Sequence, residues 1–213
     1  ACCLGVMSCL EYSTIFLAEY YMVTNDPLVV NGLVQRATML AKSDTMYGCY
    51  NHSGAIVYPY HTAAGVHGTG SGYGPVNAAG LLCNLGVALG KRTGLQGIVT
   101  NAEVQPAITR AYNFYNYLVY KGTVGYGEMI PGWGHLGQAG KNGQAALLFA
   151  AMGGLPTQSQ YFTRLSLAEW PDMENGHGGS GVALKWLPLA ANIGGTNAMA
   201  TFMAKRRWYF ELS

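Results

Sequence analysis

The chain has 213 residues and a mass of 22.7 kDa, with 12 basic and 10 acidic side chains and a formal net charge of +2. Half of its residues are hydrophobic and only 10% are charged, against roughly 25% in an ordinary soluble domain, so disorder is excluded. The balanced charge argues against nucleic acid as a partner, and no apolar stretch reaches the roughly 20 residues that a membrane-spanning helix needs. These values predict one globular domain over residues 1–213.

Four pairs of helices are predicted along the chain. The first pair joins an apolar segment at 4–23 to an amphipathic segment at 27–42, where Asp26 and Pro27 have the order of a helix cap and a first helical residue. In the third pair, Thr157-x-x-Gln160 predicts a capping box at the start of the second helix. The same alternation of apolar and amphipathic segments predicts the second, third and fourth pairs. They are 75–90 with 103–120, 143–153 with 157–169, and 181–193 with 196–213.

The two members of each pair differ in composition. In the last three pairs the first member is nearly uncharged and rich in small residues, which indicates a helix buried on all sides. The segment at 4–23 is apolar but keeps Glu11 and Glu19, so it is either buried with partners for them or only partly buried. The second member of each pair carries a single apolar face. We therefore predict an all-α fold of antiparallel helical hairpins in two layers, forming a partial α/α toroid of four hairpins. Long glycine-rich loops precede the inner helices and are predicted to lie on one face of this fold.

The exposed ends of such a fold indicate that it has protein partners. The chain begins at Ala1 and closes inside a helical pattern, so we expect residues 1–213 to be a fragment of a longer chain. Four hairpins are too few to close a ring, and the exposed apolar ends are expected to contact other segments of that chain or to form a homo-oligomer. A structural or assembly module is therefore one interpretation of the function.

The histidines are concentrated in the predicted loops. All five lie outside the predicted helices, namely His52, His61, His67, His135 and His177. Because the inner helices of a layered ring run in the same direction, the loops at 43–74, 121–142 and 171–181 are expected to meet at one mouth. The alternative is that these are ordinary loop residues that stabilise irregular backbone. We favour a polar pocket above an apolar core.

This pocket is predicted to bind an extended polar ligand, a small molecule or a saccharide, with cleavage by acid/base chemistry as the accompanying hypothesis. The candidate catalytic residues are His135, His177 and Glu128, because imidazole and carboxyl groups transfer protons near neutral pH. The candidate ligand-binding residues supply aromatic walls and polar contacts: Tyr73, Trp133, Lys141, Asn142, His61 and His67.

A metal site is an alternative interpretation of the same loops. Cys49-x-x-His52, together with His135 or His177, would supply the three or four ligands that zinc requires. No HExxH or CxxC motif supports this arrangement, so the sequence predicts no cofactor and keeps a zinc-dependent toroid enzyme as an alternative. Residues 138–143 lack the spacing of a phosphate-binding loop.

Three stretches carry a resemblance to a known family. Residues 132–143 read GWGHLGQAGKNG, residues 176–192 begin with Gly176-His177-Gly178, and residues 207–210 read RWYF. Over most of its length the sequence resembles a bacterial domain family of unknown function. Its members are parts of larger, often exported proteins, some with a PDZ domain, so the resemblance implies an exported or periplasmic location.

More distantly, the predicted layout is similar to the α/α toroids of terpene cyclases, protein prenyltransferases and lanthionine cyclases. This resemblance implies that the loop mouth holds the ligand site, as it does in those proteins. The Asp-rich and Gln-Trp motifs of terpene cyclases are absent, and so is the zinc-binding Cys-His pair of lanthionine cyclases. The resemblance therefore implies a fold and not those activities.

Overall fold

The computed structural model describes residues 6–50, 75–127, 131, 138–168 and 180–212. Within these residues every regular element is helical, which confirms the predicted all-α class. The α-helices are α1 Val6–Thr24, α2 Val30–Ser43, α3 Asn77–Arg92, α4 Gln96–Val99, α5 Val104–Asn116, α6 Gln138–Met152, α7 Pro156–Ala168, α8 Ser180–Ile193 and α9 Thr196–Leu212. A short 3-10 helix, Pro27–Val29, leads into α2.

The long helices form two layers. The inner layer consists of α1, α3, α6 and α8, and each of these helices packs against the next in that order. The outer layer consists of α2 on α1 and α3, α5 on α3, α7 on α6 and α8, and α9 on α8. Each nearly uncharged segment thus forms an inner helix and each following segment an outer one, as the composition predicts.

The inner helices α1 and α3 run in the same direction. The Cys83 thiol of α3 lies 3.5 Å from Oε2 of Glu11 on α1 and donates a hydrogen bond to it. One turn further along both helices, a Cβ added at Gly86 would lie 3.2 Å from Cβ of Thr14. Residue numbers rise together at the two contacts, so the helices are parallel. The glycine allows their backbones to approach closely.

The inner helices α3 and α6 are also parallel. At their starts, Asn77 and Asn142 both bind the backbone of residues 124–125, each at 3.0 Å. Near their ends, the Arg92 guanidinium donates to the carbonyl oxygen of Ala150 at 3.3 Å. The two helices therefore begin together and end together.

The last inner helix, α8, follows the direction of α6. A Cβ added at Gly143 in α6 would lie 3.0 Å from the carbonyl oxygen of Trp186 in α8. Gln160, in the second turn of α7, donates to the carbonyl oxygen of Ile193 at 3.1 Å. Since α7 starts beside the end of α6, that contact places the end of α8 there as well. All four inner helices therefore begin at one end of the molecule, which we call the N face.

An aromatic cluster joins the two layers in the middle of the fold. Phe149 of α6 stacks on Phe162 of α7 with ring centres 5.6 Å apart, and Tyr112 of α5 meets Phe149 edge-on at 6.2 Å. Phe149 and Phe162 are fully buried, and the same core extends to Leu81 and Trp186 on α3 and α8. Because this core also includes Ile15 on α1, it connects all four hairpins, with burial as its main stabilising force.

Local signals set some helix boundaries and not others. The Asp26 carboxylate accepts a hydrogen bond from the Leu28 N–H at 2.9 Å, which confirms the predicted cap. The capping box at Thr157 is wrong, because α7 starts at Pro156 and Thr157 already lies inside the helix. The third inner helix starts at Gln138, five residues before the predicted start at Gly143.

The helix α1 exposes an apolar stripe to solvent. Phe16 is 63% exposed and Val23 is 84% exposed, and Tyr20 between them stacks on Phe16 with ring centres 6.0 Å apart. These three residues lie on one helix face because they are four and three positions apart. Over the described part of the chain, no helix is both long enough and apolar enough to cross a membrane.

Candidate functional site

The N face is where the chain passes from outer helices to inner ones. Residues 44–50 follow α2 and residues 117–127 follow α5, and both segments cross the start of α3. The carbonyl oxygens of Tyr50 and Tyr126 accept the N–H groups of Val76 and Asn77, each at 2.8 Å. These two backbone donors at the start of α3 are therefore already engaged, and an anionic ligand would not find them open.

A charged pair fixes the first of these segments. The Arg110 guanidinium of α5 donates to both carboxylate oxygens of Asp44, at 2.7 and 2.8 Å, and the Asp44 side chain is fully buried. Gly48 has φ +81°, and a Cβ there would lie 2.4 Å from the carbonyl carbon of Arg110. Only glycine fits this position, so the pair and the glycine together hold the segment against α5.

The second segment is fixed by two buried asparagines. Asn77 at the start of α3 donates from Nδ2 to the carbonyl oxygen of Gly125, and Asn142 in α6 accepts at Oδ1 from the Val124 N–H. The Tyr115 hydroxyl also approaches Asn77, with its oxygen 3.3 Å from Oδ1. The backbone beneath the N face is thus held by side-chain amides from both inner helices.

Two of the predicted ligand-binding residues, Lys141 and Asn142, lie in the described part of the chain. Both are in α6, one turn from its start, and not in the loop where the sequence places them. Asn142 is fully buried, and its oxygen is engaged by Val124. Lys141 is also buried, with Nζ 6.0 Å from the centre of the Tyr126 ring. Lys141 therefore places an ammonium group at the N face, whereas Asn142 holds backbone.

The other predicted site residues lie outside the described residues. They are Tyr73, Glu128, Trp133, His135 and His177, together with His52, His61 and His67. Their roles as catalytic, ligand-binding or metal-binding groups stay predictions. The helices that follow these residues in the chain, α3, α6 and α8, all begin at the N face.

The proposed zinc ligand Cys49 is described, and its thiol is engaged within its own segment. Its sulfur lies 2.9 Å from the Thr45 hydroxyl oxygen, and the residue is almost completely buried. Burial raises the pKa of the Cys49 thiol, which disfavours the thiolate that binds metal. Among the described residues, no group of three or more His, Cys, Asp or Glu side chains is placed to hold a metal ion.

On the inner helices, two residues that the sequence did not single out as site residues carry buried polar atoms without partners. Gln144 in α6 and Trp186 in α8 are both more than nine-tenths buried. Neither the Gln144 Oε1 acceptor nor the Trp186 Nε1 donor has a hydrogen-bond partner among the described residues. Both residues lie seventh in their helices, about 10 Å from the helix start. They form a polar level just below the N face.

An aromatic pair lies at the same level. The Tyr12 ring of α1 stacks on Trp186 with ring centres 6.3 Å apart, and Tyr12 is partly exposed. Lys185 Nζ lies 5.6 Å from the centre of the Tyr12 ring. The pair joins the first inner helix to the last, so the N face has an aromatic surface beside the unpaired Trp186 nitrogen.

A buried carboxyl group lies at a similar depth on α1. Glu11 on α1 is 3% exposed and accepts a weak hydrogen bond from the Cys83 thiol. Desolvation by burial raises the pKa of Glu11 to about 8, while the Cys83 contact opposes the shift. The folded protein therefore holds this side chain as a neutral acid near neutral pH.

The comparisons with known proteins identify a family. The model of the family described as Domain of unknown function (DUF6288) matches residues 9–213. The chain therefore belongs to that family, which confirms the expectation of a domain family of unknown function. No curated protein and no solved structure matches the chain.

Proposed function

We propose that the N face of this domain binds an extended polar ligand of the saccharide class. The observation that carries the proposal is the pair of buried, unpartnered polar atoms, the Gln144 acceptor and the Trp186 donor. Buried polar atoms in proteins are nearly always hydrogen-bonded, so this pair is suited to a ligand that both donates and accepts. A sugar hydroxyl does both.

The neighbouring rings support the same class of ligand. Tyr12 stacks on Trp186 and is partly exposed, which offers a flat apolar surface to the C–H face of a sugar ring. Lys185 is exposed and places an ammonium group at this end of the molecule, where it suits oxygen-rich groups. The described part of the N face thus combines stacking with hydrogen bonding.

We further propose that the ligand is cleaved by proton transfer. Glu128, His135 and His177 are the candidates from the sequence. In hydrolysis, one group protonates the oxygen that leaves as the glycosidic C–O bond breaks. Another group removes a proton from the water that forms the new C–O bond. What supports this step is the order of the chain, since these residues precede α6 and α8, whose starts lie at the N face.

Substitutions that remove only the unpaired atoms test the binding proposal. Trp186→Phe removes the Nε1 donor and keeps a ring, and Gln144→Leu removes the acceptor. Each variant is expected to weaken binding about five- to tenfold, the effect of one hydrogen bond, without lowering Tm. The probes are cellotetraose, chitotetraose and maltotetraose, measured by titration calorimetry. Trp208→Phe on the exposed end of α9 is the matched control.

Two results would overturn this proposal. Absence of heat for all three tetrasaccharides at millimolar concentration would exclude the ligand class. Equal affinities for the wild type and both variants would place the binding site elsewhere.

Single substitutions His135→Ala and His177→Ala test the cleavage step. We expect loss of product release from a bound tetrasaccharide, measured by chromatography, with thermal stability unchanged. Full activity in both variants would contradict the roles of these residues. A collapse of folding would show that the histidines stabilise loop structure instead.

A second candidate function, assembly, is favoured by the apolar stripe of α1. Phe16, Tyr20 and Val23 expose apolar surface on one face of this helix. We propose that this stripe packs against a second copy of the chain. Sedimentation of the isolated chain is expected to show self-association that Phe16→Ser and Val23→Ser abolish, with Tyr117→Ser as the control. A monomer at all concentrations would contradict self-association.

A further inference from the structure

A second cleft lies on the outer layer, beside the segment that follows α5. It has a volume of about 320 Å³ and lies between the turn after α5 and the first half of α7. Its lining combines two aromatic rings with polar side chains: Tyr120, Pro156, Thr157, Gln160, Tyr161 and Arg164. Rings beside polar side chains on an open surface suit a ligand that both stacks and hydrogen-bonds.

The backbone at Tyr120 is held in an unfavourable conformation. Tyr120 has φ +63°, in the left-handed region that residues with large side chains rarely adopt. Its side chain is nonetheless 76% exposed, so burial of the ring does not compensate for the conformation. Strained residues of this kind are concentrated at ligand sites, where the surrounding structure keeps them in place.

Tyr161 is the residue that holds this turn. Its hydroxyl accepts from the Gly122 N–H at 3.1 Å and donates to the Gly122 carbonyl oxygen at 3.0 Å. The Tyr161 ring meets the Tyr120 ring at 66°, with centres 5.2 Å apart. The hydrogen bonds hold the backbone at Gly122, and the ring contact places the exposed Tyr120 side chain beside the cleft.

The charge in the cleft selects the type of ligand. Arg164 is exposed, and among the described residues no carboxylate forms an ion pair with it. A guanidinium binds a carboxylate through two parallel hydrogen bonds. Thr157 adds a hydroxyl group to the rim. The cleft thus offers one cationic fork beside an aromatic ring.

We propose that this cleft binds an anionic sugar unit, a uronic acid, with its ring against Tyr120 and its carboxylate on Arg164. The aromatic pair provides apolar contact that a simple anion would not use, and Arg164 provides a charge that a neutral sugar would not need. The site lies on the outer layer, and this inference rests on the proposed function, in which it would hold a second part of the same polysaccharide.

The probe is tetragalacturonate, with its methyl ester as the uncharged counterpart. Calorimetry at low salt is expected to show binding that weakens about tenfold for the ester and for Arg164→Gln. Tyr120→Asn removes the ring and keeps a residue that tolerates the left-handed conformation, and it is expected to weaken binding about tenfold. Tyr117→Ser, an exposed tyrosine of the same turn outside the cleft, is expected to bind as the wild type does.

Each contrary result overturns the proposal. Equal affinity for tetragalacturonate and its ester would remove the role of Arg164. Unchanged binding by Tyr120→Asn would remove the role of the ring. Trp186→Phe is expected to leave this binding intact, and its loss in that variant would place the uronate on the N face instead.

Discussion

Buried polar side chains near the N face fall into two groups that differ in their hydrogen bonding. One group is fully engaged with backbone or with an opposite charge, and the other has weak partners or none among the described residues. The engaged group comprises Asp44, Asn77 and Asn142. The second group comprises Glu11, Gln144 and Trp186.

The difference separates residues that stabilise the fold from residues that reduce its stability. An engaged buried group contributes about 1 kcal/mol, whereas an unpartnered one costs about 1–3 kcal/mol. The first group holds residues 44–50 and 122–127 in place beneath the N face. The second group holds no backbone segment in place. Its positions are therefore the ones at which stability and ligand binding are expected to move in opposite directions.

The largest expected effect on the free energy of unfolding is at Glu11, and it depends on pH. In the unfolded chain its carboxyl ionises near the ordinary pKa of 4.5, whereas in the folded protein burial raises the pKa to about 8. The folded state keeps a proton that the unfolded chain loses, so this contribution to stability is complete below pH 4.5 and is lost as the pH rises to 8. With about 1.4 kcal/mol for each pKa unit, the loss is of the order of 5 kcal/mol.

Glu11→Gln is expected to abolish this pH dependence. Chemical denaturation should show the variant more stable than the wild type at pH 8, with the gap closing towards pH 4.5. Glu19→Gln, at an exposed position of the same helix, is the matched control. The prediction is wrong if the two variants have the same pH profile, because Glu11 would then be solvated.

The next effect is at the charged pair in the engaged group. Asp44→Ala leaves the Arg110 guanidinium without its carboxylate and is expected to destabilise the fold by about 3 kcal/mol. The value lies at the lower end of the range for buried pairs because Arg110 is 20% exposed and regains some water. Urea denaturation of both single variants and of Asp44→Ala/Arg110→Met would measure the coupling. A coupling energy near zero would show that the contact between Asp44 and Arg110 does not stabilise the fold.

Local sequence signals predicted much of the fold. Low charge and small residues marked the inner helices, a single apolar face marked the outer ones, and Asp26 before Pro27 marked a real cap. The start of α6 was missed because residues 138–142 carry glycine and polar side chains that are typical of loops. The contacts of Lys141 and Asn142 in this helix depend on packing against residues brought from elsewhere in the chain.

Long-range contacts explain why the candidate site was only partly predicted. Asp44 and Arg110 are 66 positions apart, and Glu11 and Cys83 are 72 apart, so neither contact has a local signal. Lys141 lies near the start of α6, and its role in ligand binding stays a prediction. Trp186 fitted the pattern of a buried apolar helix and was read as core, because the sequence does not show whether an indole nitrogen has a partner.

A smaller effect is expected at Asn142. Asn142→Leu removes the oxygen that accepts the Val124 N–H and leaves that buried donor unpaired. We expect a loss of about 2 kcal/mol in the free energy of unfolding, measured by urea denaturation. Amide exchange should also become faster at Val124 than in the wild type. Wild-type stability in this variant would show that water replaces the amide.

The smallest effect has the opposite sign and lies two residues further along α6. Gln144→Leu replaces a buried, unpartnered amide oxygen with an apolar side chain of similar length, so the fold is expected to gain about 1 kcal/mol. Substitutions two positions apart in the same helix, at 142 and 144, would then shift urea midpoints in opposite directions. Destabilisation by Gln144→Leu would mean that Gln144 is hydrogen-bonded in the free protein. The division into two groups would then fail at the position on which the proposed ligand site depends.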